Sequence, residues 1–216
     1  MKIASKISPC LWFDDQAEAA ARFYTGIFPD SKITQTTHYL GEKMTQVSGR
    51  PEGSVLTVAF ELAGLPFTAL NGGPIFKFNE AISLQVHCDS QDELDKYWTA
   101  LNEGGDLSAQ QCGWLKDRYG LSWQIVPAIL PTLLTDPARA QRVMEALLPM
   151  KKLDIGKLQQ AADAPVEEQA EALEKNAENL ASAKEEMERL QKQFEELAAL
   201  EQDLLALERL AQQAEA

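Results

Sequence analysis

The chain has 216 residues, 45% of them hydrophobic, and a formal net charge of −13. That length suits one large domain, or one ordinary domain with an extension, and the apolar content is enough for a core. No apolar run approaches the roughly 20 residues that span a bilayer, and nothing in so acidic a chain neutralises phosphates, so neither membrane nor nucleic-acid partners are expected.

The N-terminal Met1-Lys-Ile-Ala-Ser-Lys-Ile7 lacks the apolar core of a secretion signal. Three cysteines, Cys10, Cys88 and Cys112, are too few and too scattered for a disulfide framework or a thiolate zinc site. A reducing cytoplasm is the default expectation. The acidity is uneven: residues 156–216 carry 6 Lys+Arg against 15 Asp+Glu, and the first 155 carry 14 against 18.

Ile7–Phe13 reads as a strand and Asp15–Phe28 as a helix. Lys32–Leu40 alternates like an exposed strand, Gly41–Gly53 is a polar loop or flap, and Val55–Leu62 and Pro66–Leu70 are strands joined tightly at Ala63-Gly64. Asn71-Gly-Gly-Pro74 breaks the last of these, since glycines free the backbone and proline removes a ladder donor. The same order then recurs. Ala81–Cys88 is a strand, Gln91–Asn102 a helix ended by Gly104-Gly105, and short strands follow near Leu107–Gln111, Gly113–Lys116 and Leu121–Val126.

The two halves also align residue by residue. At an offset of 75, Asp14, Gln16 and Glu18 fall on Asp89, Gln91 and Glu93, and Phe23 on Trp98; at an offset of 56, Gly64-Leu-Pro-Phe67 falls on Gly120-Leu-Ser-Trp123. The longer loop of the first half absorbs the difference, and duplication is the preferred reading.

Beyond Pro127 the pattern turns helical. Asp136-Pro137 has the form of an N-cap with proline at the first helical position, leading to the apolar residues Val143, Met144 and Leu147, and Met150–Ala162 is a further short amphipathic segment. Asp163-Ala-Pro165 starts a last helix, and Val166–Ala216 holds neither Gly nor Pro. Leu173, Leu180, Ala183, Met187, Leu190, Phe194 and Leu197 recur mostly at three-four spacing. As one helix this tail is about 75 Å long at 1.5 Å per residue. Such a narrow stripe on an acidic rod calls for a coiled-coil partner. A continuous helix is preferred to a hairpin broken near Ala181, which the capping-box pattern Ser182-Ala-Lys-Glu185 would also fit.

Several stretches resemble the PhnB-like branch of the vicinal oxygen chelate (glyoxalase, bleomycin-resistance, dioxygenase) superfamily. They are Ile7-Ser-Pro-Cys-Leu-Trp-Phe-Asp14, Phe67-Thr-Ala-Leu-Asn-Gly-Gly-Pro74, Phe76-Lys-Phe-Asn-Glu-Ala-Ile-Ser-Leu84 and Cys112-Gly-Trp-Leu-Lys-Asp-Arg-Tyr-Gly-Leu-Ser-Trp-Gln-Ile-Val-Pro127, with Val143-Met-Glu-Ala and Met150-Lys-Lys-Leu-Asp-Ile155 closing the match. The resemblance covers residues 1–160 and implies an α+β fold of two βαβββ modules, at about 5–74 and 80–127, forming a curved mixed sheet around a cavity, with helical closure over 128–160. It implies a homodimer through this head. The acidic segment 161–216 lies outside it and reads as an oligomerisation or appended segment.

Members of this branch often carry a demethylubiquinone methyltransferase label. No glycine-rich strand–helix turn that would cradle a methyl-donor nucleotide occurs in the chain. Metal-using members of the superfamily place His or Glu on the cavity strands. Here the first-strand positions fall near Ile7-Ser8 and Ile82-Ser83, and the last-strand positions fall on Thr68 and Gln124. Hydroxyls and an amide are poor ligands for a divalent metal, so no metal and no cofactor are expected.

Ser8, Cys10 and Trp12 on one strand, and Ser83, Gln85 and His87 on its repeat-mate, should face one cavity, joined by Thr68, Asn71, Trp114 and Gln124. Apolar walls with a few placed polar groups suit a small-molecule ligand; satisfied core polar groups are the competing reading. Cys10 and Cys112 lack a cation in their own stretches and read as inert thiols, although Lys116 could fold close. Asp117-Arg118 reads as turn and surface charge. Ser83 and His87 lie roughly 13 Å apart along a strand, too far for a nucleophile and its base. Three functions stand open: a metal-free small-molecule-binding domain, an isomerase, lyase or dioxygenase using the cavity, and an assembly protein whose coiled coil does the work.

Overall fold

The computed structural model describes residues 5–164 and 177–194. The chain divides into two compact units, Met1–Ala162 and Asp163–Ala216.

The first unit contains two βαβββ modules. Module one runs β1 (Cys10–Phe13), α1 (Ala17–Ile27), β2 (Lys32–His38), α2 (Glu42–Ser48), β3 (Val55–Leu62) and β4 (Leu65–Asn71). Module two runs β5 (Ser83–Cys88), α3 (Gln91–Asn102), β6 (Asp106–Gln111), β7 (Trp114–Lys116) and β8 (Ser122–Pro127). The strand orders are β1-β4-β3-β2 and β5-β8-β7-β6. In each sheet the first strand is a free edge, parallel to the last strand of its module. The curved wall expected from the sequence is thus made of two separate four-stranded mixed sheets.

The internal repeat holds in the strand register. Cys10 pairs with Thr68 and Gln85 with Gln124, which reproduces both sequence offsets at once. The helices obey a different correspondence. Ala17, Ala20, Ala21 and Tyr24 are the buried face of α1, and Leu94, Tyr97, Trp98 and Leu101 that of α3, an offset of 77. Phe23 is only half-buried, so its sequence match with Trp98 is not a structural equivalence. Between the equivalent strand position and the buried helix face, module two thus carries two residues more than module one.

Each sheet buries one face. Along β3 and β4, Val58, Phe60, Leu62, Phe67 and Ala69 point into the core while Thr57, Ala59, Thr68 and Leu70 point away, as the period of two requires. One core cluster spans both modules. Phe28, just past α1, stacks on Tyr97 of α3 and on Trp123 of β8, with ring centroids 5.0 and 5.6 Å apart.

The loop after β2 is not plain flap: it carries the short exposed helix α2. It is anchored at its base, where Arg50 pairs with Asp14, and Glu52 accepts from Gly41 N–H at 3.0 Å. Past β8 come α4 (Leu130–Leu133), α5 (Pro137–Leu147) and α6 (Ile155–Asp163). Asp136 caps α5 by accepting from Arg139 N–H at 2.8 Å, as expected from its place before Pro137. The segment leading to α6 is sewn to the β6–β7 turn, for Cys112 and Gly113 donate backbone bonds to Met150 and Lys151 at 2.7 and 2.8 Å.

In the second unit, residues 177–194 are helical without interruption. The helix runs through Ala181 and Ser182, so the alternative hairpin does not break there. Leu180, Met187, Leu190 and Phe194 are all exposed on it. The remainder of 165–216 lies outside the described residues.

Candidate functional site

The outward faces of the two sheets carry most of the polar residues singled out in the sequence. On the first, Cys10 and Thr68 are direct neighbours and Trp12 follows on the same face. Ser8 precedes β1 and is exposed. Asn71 does not join them. It points into the core, where its Oδ1 accepts from Ala17 N–H at 2.8 Å and its Nδ2 donates to Val55 O at 3.0 Å. With its amide spent on the start of α1 and on β3, Asn71 is a structural side chain.

On the second sheet the polar groups are linked. Gln124 Nε2 donates to Ser83 Oγ at 2.8 Å and its Oε1 accepts from Gln85 Nε2 at 3.2 Å. His87 lies exposed farther along β5, and Trp114 sits beside Gln124 across the β7–β8 pair. A cleft of about 860 Å³ follows the free edge of β5 and is lined by Ser83, Gln85, His87 and Gln124, with Phe28, Leu62, Leu65, Phe67, Tyr97 and Trp123 as apolar walls. None of Ser8, Cys10, Trp12, Thr68, Asn71 and Trp114 lines it. A single chain therefore does not gather the ten residues into one cavity, because the two open faces belong to separate sheets.

Neither Cys10 nor Cys88 is an activated thiol. Burial raises Cys10, and Cys88 is pushed up to about 12, first by burial and then by Glu93 and Asp89. Cys112 Sγ contacts Leu148 O at 3.4 Å, and Lys116 pairs with Glu80 rather than with any thiol. Asp117 is not the turn-surface charge expected of it. It is buried, with Oδ2 accepting from Tyr24 Oη and Trp123 Nε1 and Oδ1 from the Tyr119 and Leu121 amides. The usable signal was the Asp-Arg-Tyr-Gly turn, in which an aspartate commonly accepts from the amides that follow it.

Set against known proteins, residues 5–126 match the family model described as 3-demethylubiquinone-9 3-methyltransferase. The chain belongs to this PhnB-like family. A PhnB protein from Bacillus cereus is 32% identical, covering 57% of this chain and all of its own length with a TM-score of 0.50. A glyoxylase/bleomycin resistance protein/dioxygenase domain from Frankia is 18% identical over 56% of this chain and 90% of its own, with a TM-score of 0.37. The fosfomycin resistance protein FosX from Listeria monocytogenes, solved with Mn(II) and sulfate, is 14% identical over 56% and 88%, with a TM-score of 0.37. No curated protein matches the sequence.

The side chains of this PhnB-like protein fit neither a divalent metal nor a methyl-donor nucleotide. The donors on the outward faces are hydroxyls, amides, one thiol and a solitary imidazole, and among the described residues no three of His, Cys, Asp and Glu come together as ligands. The β1–α1 turn is Asp14-Asp15-Gln16 and the β5–α3 turn Asp89-Ser90, both without glycine. One amide at each helix start has a side-chain partner: Asn71 Oδ1 for Ala17, Ser90 Oγ for Glu93. Among the described residues no helix is long and apolar enough to cross a membrane.

Proposed function

We propose that this PhnB-like protein binds a small organic molecule, largely apolar with one or two hydrogen-bonding groups, in the cleft along β5. The observation that carries the reading is the Ser83–Gln124–Gln85 chain set into aromatic and aliphatic walls. Amides and a hydroxyl orient a ligand without moving protons, so binding is favoured over chemistry. The test is a thermal-shift screen of the full-length protein against uncharged small organic compounds, repeated with Gln124→Leu. Stabilisation by a compound should vanish in the variant; shifts that survive it would place binding elsewhere and sink the proposal. An enzyme using a metal in this fold is the rival reading, and stoichiometric Mn, Ni, Fe or Zn in purified protein would favour it.

The head is proposed to act as a homodimer. Both free edges, β1 and β5, begin beside an exposed isoleucine: Ile7 is 85% and Ile82 72% exposed, and they correspond at the repeat offset of 75. An unpaired edge with an apolar residue at its start is ordinarily covered. A second copy covering β5 with its own first sheet would bring Cys10 and Thr68 to the cleft. Sedimentation of a variant truncated at Asp163 should give a dimer that Ile82→Asp dissociates; a monomeric parent would refute it.

The tail is a second contact surface. In residues 177–194 the positions flanking the apolar stripe are occupied by Asn179, Lys184, Glu186, Gln191 and Gln193, so a second copy meets few like charges along the seam. The full chain should therefore form larger assemblies than the truncated one, and equal masses would exclude the tail as an assembly device.

A further inference from the structure

A second pocket, about 330 Å³, lies where the linker after β4 passes between the modules, away from the cleft along β5. Its walls are aromatic. Trp12 lies flat on Gly72, where an added Cβ would overlap ring atoms Cζ2, Cε2 and Cη2, and its Nε1 donates to Gly73 O at 2.8 Å. The indole is thus fixed before anything binds, which spares a ligand the cost of ordering it. Phe76 stands edge-on to it at 4.9 Å and is 61% exposed, a large apolar ring left in water. Phe78 and Tyr119 close the inner end, each edge-on to Phe13.

The rim supplies charge. Lys77 and Lys116 line the pocket with Asp14. Asp14 is neutralised by Arg50, and Lys116 by Glu80. Lys77 has no ion-pair partner among the described residues, so the lining itself carries two cations against one carboxylate. The Glu80 side chain is 63% exposed against 23% for Lys116, so the carboxylate sits in water on a cation anchored at the pocket wall. An exposed pair of this kind holds weakly and exchanges readily.

We propose that this pocket is a binding site for a planar aromatic carboxylate, whose ring packs against the edge-on pair Trp12 and Phe76 and whose acid group replaces Glu80 on Lys116. Glu80 occupies in the free protein the place that the ligand's carboxylate takes. The aromatic walls provide area and edge-to-face contact, Lys116 provides direction, and Lys77 adds attraction at the entrance. The site shares no residue with the cleft along β5 and stands independently of the function proposed for it.

The probe is 2-naphthoate, titrated calorimetrically into the full-length protein, with uncharged 2-naphthalenemethanol as control. The acid should bind measurably more tightly than the alcohol. Lys116→Met should weaken it tenfold or more, Glu80→Gln should tighten it about two- to fivefold by removing a competitor worth an exposed ion pair, and Gln124→Leu should leave it unchanged. Glu80 is exposed and Lys116 lies partly exposed at the pocket wall, so these two changes keep the fold testable where Trp12→Leu would disturb the linker. Absence of binding in both the parent and Glu80→Gln, equal affinity for acid and alcohol, or indifference to Lys116→Met overturns the site. Loss of binding in Gln124→Leu moves the naphthoate into the other cleft and overturns it as well.

Discussion

The Tyr24 hydroxyl donates to Asp117 Oδ2 at 2.8 Å, joining residues 93 apart in sequence. The first comes from the helix of module one, the second from the last turn of module two. Trp123 Nε1 donates to the same oxygen at 2.8 Å, so this carboxylate ties α1 to β8 in the middle of the shared core. The bond joins the two modules inside the hydrophobic cluster they share.

Replacing Asp117 with Asn should destabilise the head by about 2 kcal/mol, because the amide presents donors where two donors already point. Urea unfolding measures it, and a loss below a few tenths would contradict the assignment.

The same carboxyl gives a pH dependence. Burial, partly offset by its four donors, raises Asp117 above its ordinary value. Between the unfolded value and the raised folded value, the folded state holds a proton that the unfolded chain has released. Its stabilising contribution is full below the unfolded value of about 3.9 and is lost as pH rises through the raised folded value. The stability difference between the parent and Asp117→Asn should therefore shrink from pH 4 upward and then level off; a difference that grew with pH would reverse the sign of the shift.

Gly72→Ala should destabilise by about 1–3 kcal/mol, since the new methyl group meets the face of Trp12. The Trp12 bond to Gly73 should weaken with it, altering near-ultraviolet circular dichroism. An unchanged spectrum with unchanged stability would mean that the indole is free to move aside.

Ala63 takes a left-handed conformation, φ 45°, at the first turn position between Leu62 and Leu65. Relief of the steric penalty, about 1–2 kcal/mol, outweighs the extra unfolded-state entropy of glycine, about 0.5–1 kcal/mol. Ala63→Gly should thus be stabilising by roughly 0.5–1 kcal/mol in thermal unfolding. A decrease in stability would show that the turn relaxes around alanine.

Ser122 Oγ is buried and makes no hydrogen bond among the described residues. Removing an unpaired hydroxyl is usually neutral or favourable, so Ser122→Ala should leave stability equal or raise it by up to about 1 kcal/mol. A loss of that size would reveal a partner for the hydroxyl in solution, such as a bound water.

The order of elements, the duplication and the polar character of the outward faces were set by the sequence alone, because strand alternation and chain punctuation are local. Cys10 and Gln85 correspond at an offset of 75 in the amino-acid sequence itself, and the strand register bears the match out. The matching of Phe23 with Trp98 failed for a physical reason. The buried face of α3 lies two residues farther from its strand than that of α1, so residues at the strand offset of 75 do not share a place in the helices.

Asn71 and Asp117 mark the other limit. Each is a polar residue beside a turn, and in sequence each is equally compatible with water, ligand or core. Their roles were decided by what folding brought to them: the start of α1 for one, a tyrosine 93 positions away and a tryptophan for the other. The gathering of Ser83, Gln85 and Gln124 into one cleft, without Cys10 and Thr68, was likewise a tertiary outcome. Alternation fixes which face a side chain takes, whereas the packing of two sheets on two helices fixes what that face meets.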